Sequence, residues 1–160
     1  MRQSRLGYLA GVVVALCLVV GASGAAGKTA PSRVFGASLS AGAAVPNSSS
    51  KATGSVRYRL AADGRSLSFV LRAEGLRGRP VGARVQLGRA GQSGGVLLTL
   101  RQRGFALPLS GRLTRKNFTP SGSALTFAAA VRLMRAGATY TNLQTTRFPS
   151  GEIRGQNGPG

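Results

Sequence analysis

An all-β antiparallel domain, a β-sandwich or Greek-key barrel with one short helix near 123–136, is what the sequence predicts. Three observations carry that expectation. Apolar residues recur with a period of two, as in Val56, Tyr58, Leu60 and again in Leu67, Phe69, Leu71, the alternation that turns one face of a strand inward and the other outward. The alternating runs are short and separated by Gly, Pro, Ser and Asp at turn-length intervals, the pattern of a sandwich or barrel. Only Ser123 to Gly137 departs, with Leu125, Ala128, Val131 and Met134 three apart, a helical spacing.

Taken in order, residues 1–27 read as a secretory signal. Arg2 and Arg5 precede a continuous apolar stretch from Leu9 to Val20, and Ala22 to Ala26 are small enough for a signal peptidase, with cleavage expected near Ala26. An uncleaved N-terminal membrane anchor is the alternative, because no charge falls between Leu6 and Gly27. In both cases the basic N-terminal flank stays cytoplasmic and the rest crosses, so the folded part is expected to be secreted or extracytoplasmic. Cys17 lies in the apolar stretch after Leu16, where a lipid-attachment motif wants a small residue, and is read as an ordinary apolar member of the leader.

Residues 28–32 read as a linker, 33–156 as the β domain and 157–160 as a C-terminal tail. Val56 to Leu60 and Leu67 to Leu71 form a hairpin across Ala62-Asp63-Gly64-Arg65, with Gly64 free to take positive φ. Val81 to Leu87 is the next strand, followed by the glycine-rich loop Gly88 to Gly95. Val96, Leu98 and Leu100 restart the alternation, and Phe105, Leu107 and Leu109 continue it, with Pro108 favouring an edge strand. Ser121 or Ser123 caps the predicted helix, Gly137 ends it, and final strands run from Ala138 to Thr145 and around Glu152 to Gly155.

The chemical inventory is narrow. The 160 residues hold no histidine, one cysteine and three carboxylates against 22 Lys and Arg. General acid–base and nucleophilic catalysis at neutral pH draw on His, Cys, Asp, Glu or a perturbed Lys, so the chain is expected to be no enzyme, with no catalytic residues. Without the leader no cysteine remains, so the domain has no disulfide partner and must be stable through packing. Its formal charge is then +17, a field that attracts polyanions without selecting among them.

The most specific string lies near the end: Tyr140-Thr-Asn-Leu-Gln-Thr145, then Phe148-Pro-Ser-Gly-Glu-Ile-Arg-Gly-Gln156. Together with Phe35-Gly-Ala-Ser-Leu39, Val45-Pro46, Ala52-Thr53-Gly54 and Leu60-Ala-Ala-Asp-Gly-Arg-Ser-Leu67 it resembles the CHRD domain, a module named for chordin and common in secreted bacterial proteins. The likeness runs from about Val34 to Gln156. It implies an immunoglobulin-like antiparallel β fold and an extracellular binding role, and for bacterial relatives no particular reaction.

The chain departs from that pattern at three places. Where the family commonly carries Ala-His-x-His, this sequence has Ala83-Arg84-Val85-Gln86, and where a histidine follows Tyr-x-Asn-x, it has Gln144. Three such histidines would resemble the metal site of copper/zinc superoxide dismutases. A guanidinium offers no lone pair and an amide is a poor ligand for zinc or copper, so neither metal nor cofactor is expected here.

Alternation sets Arg84, Gln86, Tyr140, Asn142 and Gln144 on the sheet face opposite Val85, Leu87, Thr141 and Leu143. They form a candidate polar patch, either a hydrogen-bonding site for a carboxylate, phosphate or sugar, or a solvated or internally satisfied surface. Glu152 and Arg154, two apart on one strand, are read as a structural pair, because no second carboxylate is near enough in sequence for catalysis. The Gly88–Gly95 loop lacks the Gly-Lys-Ser/Thr ending of a phosphate loop. Nucleic acid is disfavoured as a partner, since the arginines are scattered and neither an aromatic RNA motif nor a Cys/His finger is present. The expected function is therefore a secreted, non-enzymatic module at the cell envelope or outside it, binding anionic polymer, lipid or protein surfaces. The alternatives are a superoxide-dismutase-like metalloenzyme with unrecognised ligands and an extracellular nucleic-acid binder.

Overall fold

The computed structural model describes residues 32–159. The expected leader and nearly all of the 28–32 linker lie outside the described residues. Strands β1 (Val34–Ser40), β2 (Thr53–Leu60), β3 (Leu67–Glu74), β4 (Pro80–Leu87), β5 (Val96–Gln102) and β6 (Leu109–Leu113) come first. A 3-10 turn at Arg115–Asn117 and helix α1 (Phe127–Arg135) follow, then β7 (Thr139–Thr145), β8 (Ile153–Gln156) and β9 (Gly158–Pro159).

Every strand pairing is antiparallel, in the order β5-β4-β7-β8-β1-β2-β3-β6, with β9 also on β1. The end strands β5 and β6 approach each other, so the sheet is nearly closed into a barrel. The predicted all-β class with one short helix is the observed one. In the β2–β3 hairpin Leu60 faces Leu67, and Gly64 takes φ 68°, a backbone angle that a side chain would oppose. Directly paired inward residues Phe35, Tyr58 and Phe69 pack through the barrel, the first two rings stacked with centroids 5.5 Å apart and the last two tilted at 6.5 Å, each aromatic pair adding about 1 kcal/mol beyond its buried area.

Three expectations need correction. Helix α1 starts at Phe127, because Ser121 N–H and Ala124 N–H bond reciprocally to each other's carbonyls in a turn. Thr126 is therefore the cap, its Oγ1 accepting from Ala129 N–H at 3.1 Å. Phe105 and Leu107 precede the strand rather than belong to it: the chain bends over 103–108 and pairs with β3 only from Leu109. The expected tail is part of the fold, since Asn157 is buried and Gly158 and Pro159 pair with Gly36 and Phe35. Strand β1 itself escapes the periodicity because its outward positions, Gly36 and Ser38, are too small to mark it.

Helix α1 presents Phe127, Val131 and Met134 to the main core. Its Ala130, with Ala124, covers Leu97 in a smaller cluster, so β5 buries residues on both faces.

Candidate functional site

Strands β4, β7 and β8 bring the polar patch together. Gln86 pairs with Tyr140 and Arg84 with Asn142, while Gly82 faces Gln144. On the next strand Tyr140 pairs with Gln156 and Asn142 with Arg154. The outward side chains are not left to solvent, because two loops fold over them.

Loop 88–95 is held at its backbone by side chains from β4, β7 and β8. Arg154 donates from Nη2 to the Arg89 and Gln92 carbonyls at 3.0 Å and 2.6 Å, and Gln156 donates from Nε2 to the Gly88 and Gly137 carbonyls at 2.8 Å and 2.9 Å. Gln86 Nε2 donates to the Gly94 carbonyl at 3.0 Å, and the Tyr140 hydroxyl accepts from Gly94 N–H at 3.3 Å. The N–H groups of Gly88, Arg89, Gln92 and Gly94 are all engaged within the protein. A phosphate cradle needs such groups pointing at the ligand, and these four point into the protein instead.

The second loop, 148–151, is fixed in the same way. Gln144 Nε2 donates to the Pro149 carbonyl at 2.7 Å, and Asn142 Nδ2 donates to the Ser150 carbonyl at 2.8 Å and to Gln86 Oε1 at 3.1 Å. Tyr140 and Asn142 are buried beneath the loops, and Arg84, Gln86 and Gln144 are half-buried. Arg154 is 3 % exposed, its guanidinium carbon 3.3 Å above the Tyr140 ring centroid, a cation–π contact strengthened by desolvation. Arg84 keeps its Nε out of solvent with no acceptor among the described residues.

At the three positions where the family pattern carries histidine stand a guanidinium and two amides, and Gln86 already spends its oxygen on Asn142 and its nitrogen on Gly94. That donor set does not fit a zinc or copper ion.

Glu152 and Arg154 do not form the expected pair. Glu152 precedes β8 and its side chain is fully buried. Its Oε1 accepts from Ser50 Oγ at 2.7 Å and Arg77 N–H at 2.6 Å, and its Oε2 from Thr145 Oγ1 at 2.7 Å. Burial by itself would raise the carboxyl's pKa, but these donors and the Gly78 N–H outweigh it and hold the group below its ordinary value. The carboxylate thus ties the segments around residues 50 and 77 to the end of β7, with no cationic side chain bonded to it among the described residues.

A further buried network was not legible in the strand alternation. The Tyr58 hydroxyl and Thr141 Oγ1 are 2.8 Å apart, Thr141 Oγ1 donates to Asn157 Oδ1 at 2.7 Å, and Asn157 Nδ2 donates to Thr139 Oγ1 at 2.9 Å. The available signal was a run of threonines at inward positions 139, 141 and 145 of β7, where apolar residues are usual.

The charged exterior is the other candidate site. All described cations are exposed except Arg84 and Arg135, half-buried, and Arg154, buried, while Asp63 and Glu74 are the exposed acids. Four of the arginines share the outward face of β2, β3 and β6. Arg59 and Arg112 flank Ser68 from the two neighbouring strands, Arg57 lies opposite Val70, and Arg72 opposite Ser55.

No curated protein and no solved structure matches the chain. A family model described as the CHRD domain matches residues 35–157, a span that takes in the three loop-covered strands, the Glu152 cluster and Asn157, and the chain belongs to the CHRD-domain family.

Proposed function

We propose that the chain is an exported, non-enzymatic CHRD-domain module that adheres to anionic material at the cell envelope or outside the cell. The observation that carries this reading is the imbalance at the surface, where Arg57, Arg59, Arg72 and Arg112 line one sheet face and only Asp63 and Glu74 are exposed to offset the cations. Guanidinium groups bind carboxylates and phosphates through two parallel hydrogen bonds, so such a face adheres to many polyanions.

The non-enzymatic part of the reading is supported by where the carboxylates lie. Asp63 closes a turn on Arg65 N–H, Glu74 ends a strand, and Glu152 has its oxygens occupied by hydroxyl and backbone donors. None is placed beside a second acid among the described residues, and the two hydroxyls on Glu152, those of Ser50 and Thr145, donate to a carboxylate that is itself fully buried. Binding of the purified domain to isolated envelope and to anionic and neutral vesicles, titrated with salt, tests the adhesion. Affinity should fall steeply as salt rises, and binding that ignores ionic strength contradicts the mechanism. Elemental analysis tests the other part: stoichiometric copper, zinc or iron in the purified protein would replace this reading with a metalloenzyme.

A further inference from the structure

The outward face of β1, β2 and β3 is not flat. A depression of about 560 Å³ has Gly36, Ser38 and Ser55 in its floor and Arg57 and Arg72 at its side. A second, of about 460 Å³, shares Val34, Phe35 and Pro159 with it and reaches Arg132 and Arg135 at the C-terminal end of α1. A third, of about 520 Å³, shares Ser55 and Arg72 with the first and ends at Glu74, Leu107 and Pro108. Through these shared walls the three abut as one trough, which crosses three strands from the helix end to the loop before β6.

We propose that this trough binds a single extended strand of a phosphodiester polymer without bases, its charges met by Arg57, Arg72, Arg132 and Arg135. The inference rests on the adhesion reading and narrows it to one surface and one class of ligand. The floor of glycine and serine lets a thin backbone come close, and the arginine forks match the paired free oxygens of a phosphodiester. A stacked nucleic acid fits less well, because single-strand binders offer aromatic platforms and the aromatic residue lining the trough, Phe35, turns its ring into the barrel core and is 2 % exposed. A bilayer is a flat target, and the large apolar side chains exposed among the described residues, Val45 and Leu125, lie outside the trough. The acid Glu74 marks the trough's far end and limits the polymer's path there.

The test compares two variants of equal charge loss. One carries R57Q, R72Q, R132Q and R135Q; the other carries R65Q, R79Q, R101Q and R115Q, positions that line none of the three depressions. Binding to poly(glycerol phosphate) is measured at low and at physiological salt, with polygalacturonate and single-stranded DNA as comparison probes. The trough variant should bind at least tenfold more weakly than the parent, and the slope of log K against log salt should shrink by about three, as expected for four lost contacts on a single strand. The control variant should stay within about threefold. Equal losses in the two variants would overturn the trough while leaving adhesion standing, and tighter binding of polygalacturonate or DNA would overturn the ligand class. A parent protein that binds none of the three in a salt-dependent way would remove the adhesion reading itself. Should the fourfold variant not fold, the R57Q/R72Q and R132Q/R135Q pairs are measured separately, each expected to lose at least threefold.

Discussion

Glu152 is the residue whose chemistry is most easily mistaken. A buried acid with a lowered pKa resembles a catalytic group, yet its partners are two hydroxyls and backbone N–H groups that use it as an acceptor hub. Hydrogen bonds to a charged group contribute about 1.5–3 kcal/mol each, and an amide would turn donors toward donors. Glu152→Gln should therefore lower unfolding stability by about 3 kcal/mol at neutral pH, read from urea melts. Because the folded pKa is lowered, the carboxylate's contribution is complete above the unfolded value of about 4.3 and is lost as pH falls through the folded value. The gap between parent and variant should accordingly narrow in acid, and a gap independent of pH would mean that the charge is not what stabilises the site. Arg154 makes a parallel case. A lysine there keeps the charge but not the planar guanidinium that lies on the Tyr140 ring while its Nη2 reaches the Arg89 and Gln92 carbonyls. Arg154→Lys should cost about 2 kcal/mol and accelerate amide exchange at Gln92 and Gly94, whereas unchanged exchange would show that the loop is held by other contacts.

Among the elements, the helix and the β1–β8 junction carry separate risks. Thr126 supplies the side-chain oxygen for a helix of only nine residues, and Thr126→Ala should lower stability by about 1 kcal/mol in thermal or urea melts. At the β1–β8 junction a Cβ on Gly155 would run into the Ser38 carbonyl, which is backbone and has little room to move. Gly155→Ala should cost about 3 kcal/mol or more, near the upper end for overpacking, and a near-neutral result would mean that β1 and β8 can separate there. The elements also differ in how readily the chain announces them. The β2–β3 hairpin was legible because large apolar residues alternate with Ser and Arg around a glycine turn. The start of α1 was displaced because Ser121 and Ala124 close a local turn that competes with helix, and β1 was hidden by the small residues that later form the trough floor.

For the whole molecule the dominant fact is charge. Close-set cations with few acids between them repel one another in the folded state. Raising salt from about 10 mM to about 150 mM shortens the screening length from about 30 Å to about 8 Å. The melting temperature should rise over that interval, and a melting temperature that stays level or falls would show that the surface charges are already offset in the fold. The same charges provide adhesion, so salt should strengthen the fold while it weakens binding to polyanions. Those opposite responses can be followed in one preparation.

By itself the sequence determined the class of fold, the family motifs, the shortage of catalytic side chains and the excess of arginine, because composition and period-two alternation are local properties of the chain. Only the tertiary structure decided that Tyr140, Asn142 and Arg154 lie beneath two loops, that Glu152 bonds hydroxyls from distant segments instead of Arg154, and that Asn157 joins the core. It also decided that the depression lined by Arg57 and Arg72 shares Val34, Phe35 and Pro159 with the one lined by Arg132 and Arg135. The physical reason is common to all four. Alternation assigns a side chain to a face, but what covers that face, and which donors reach it, depends on segments as far as 102 residues away that only folding brings together.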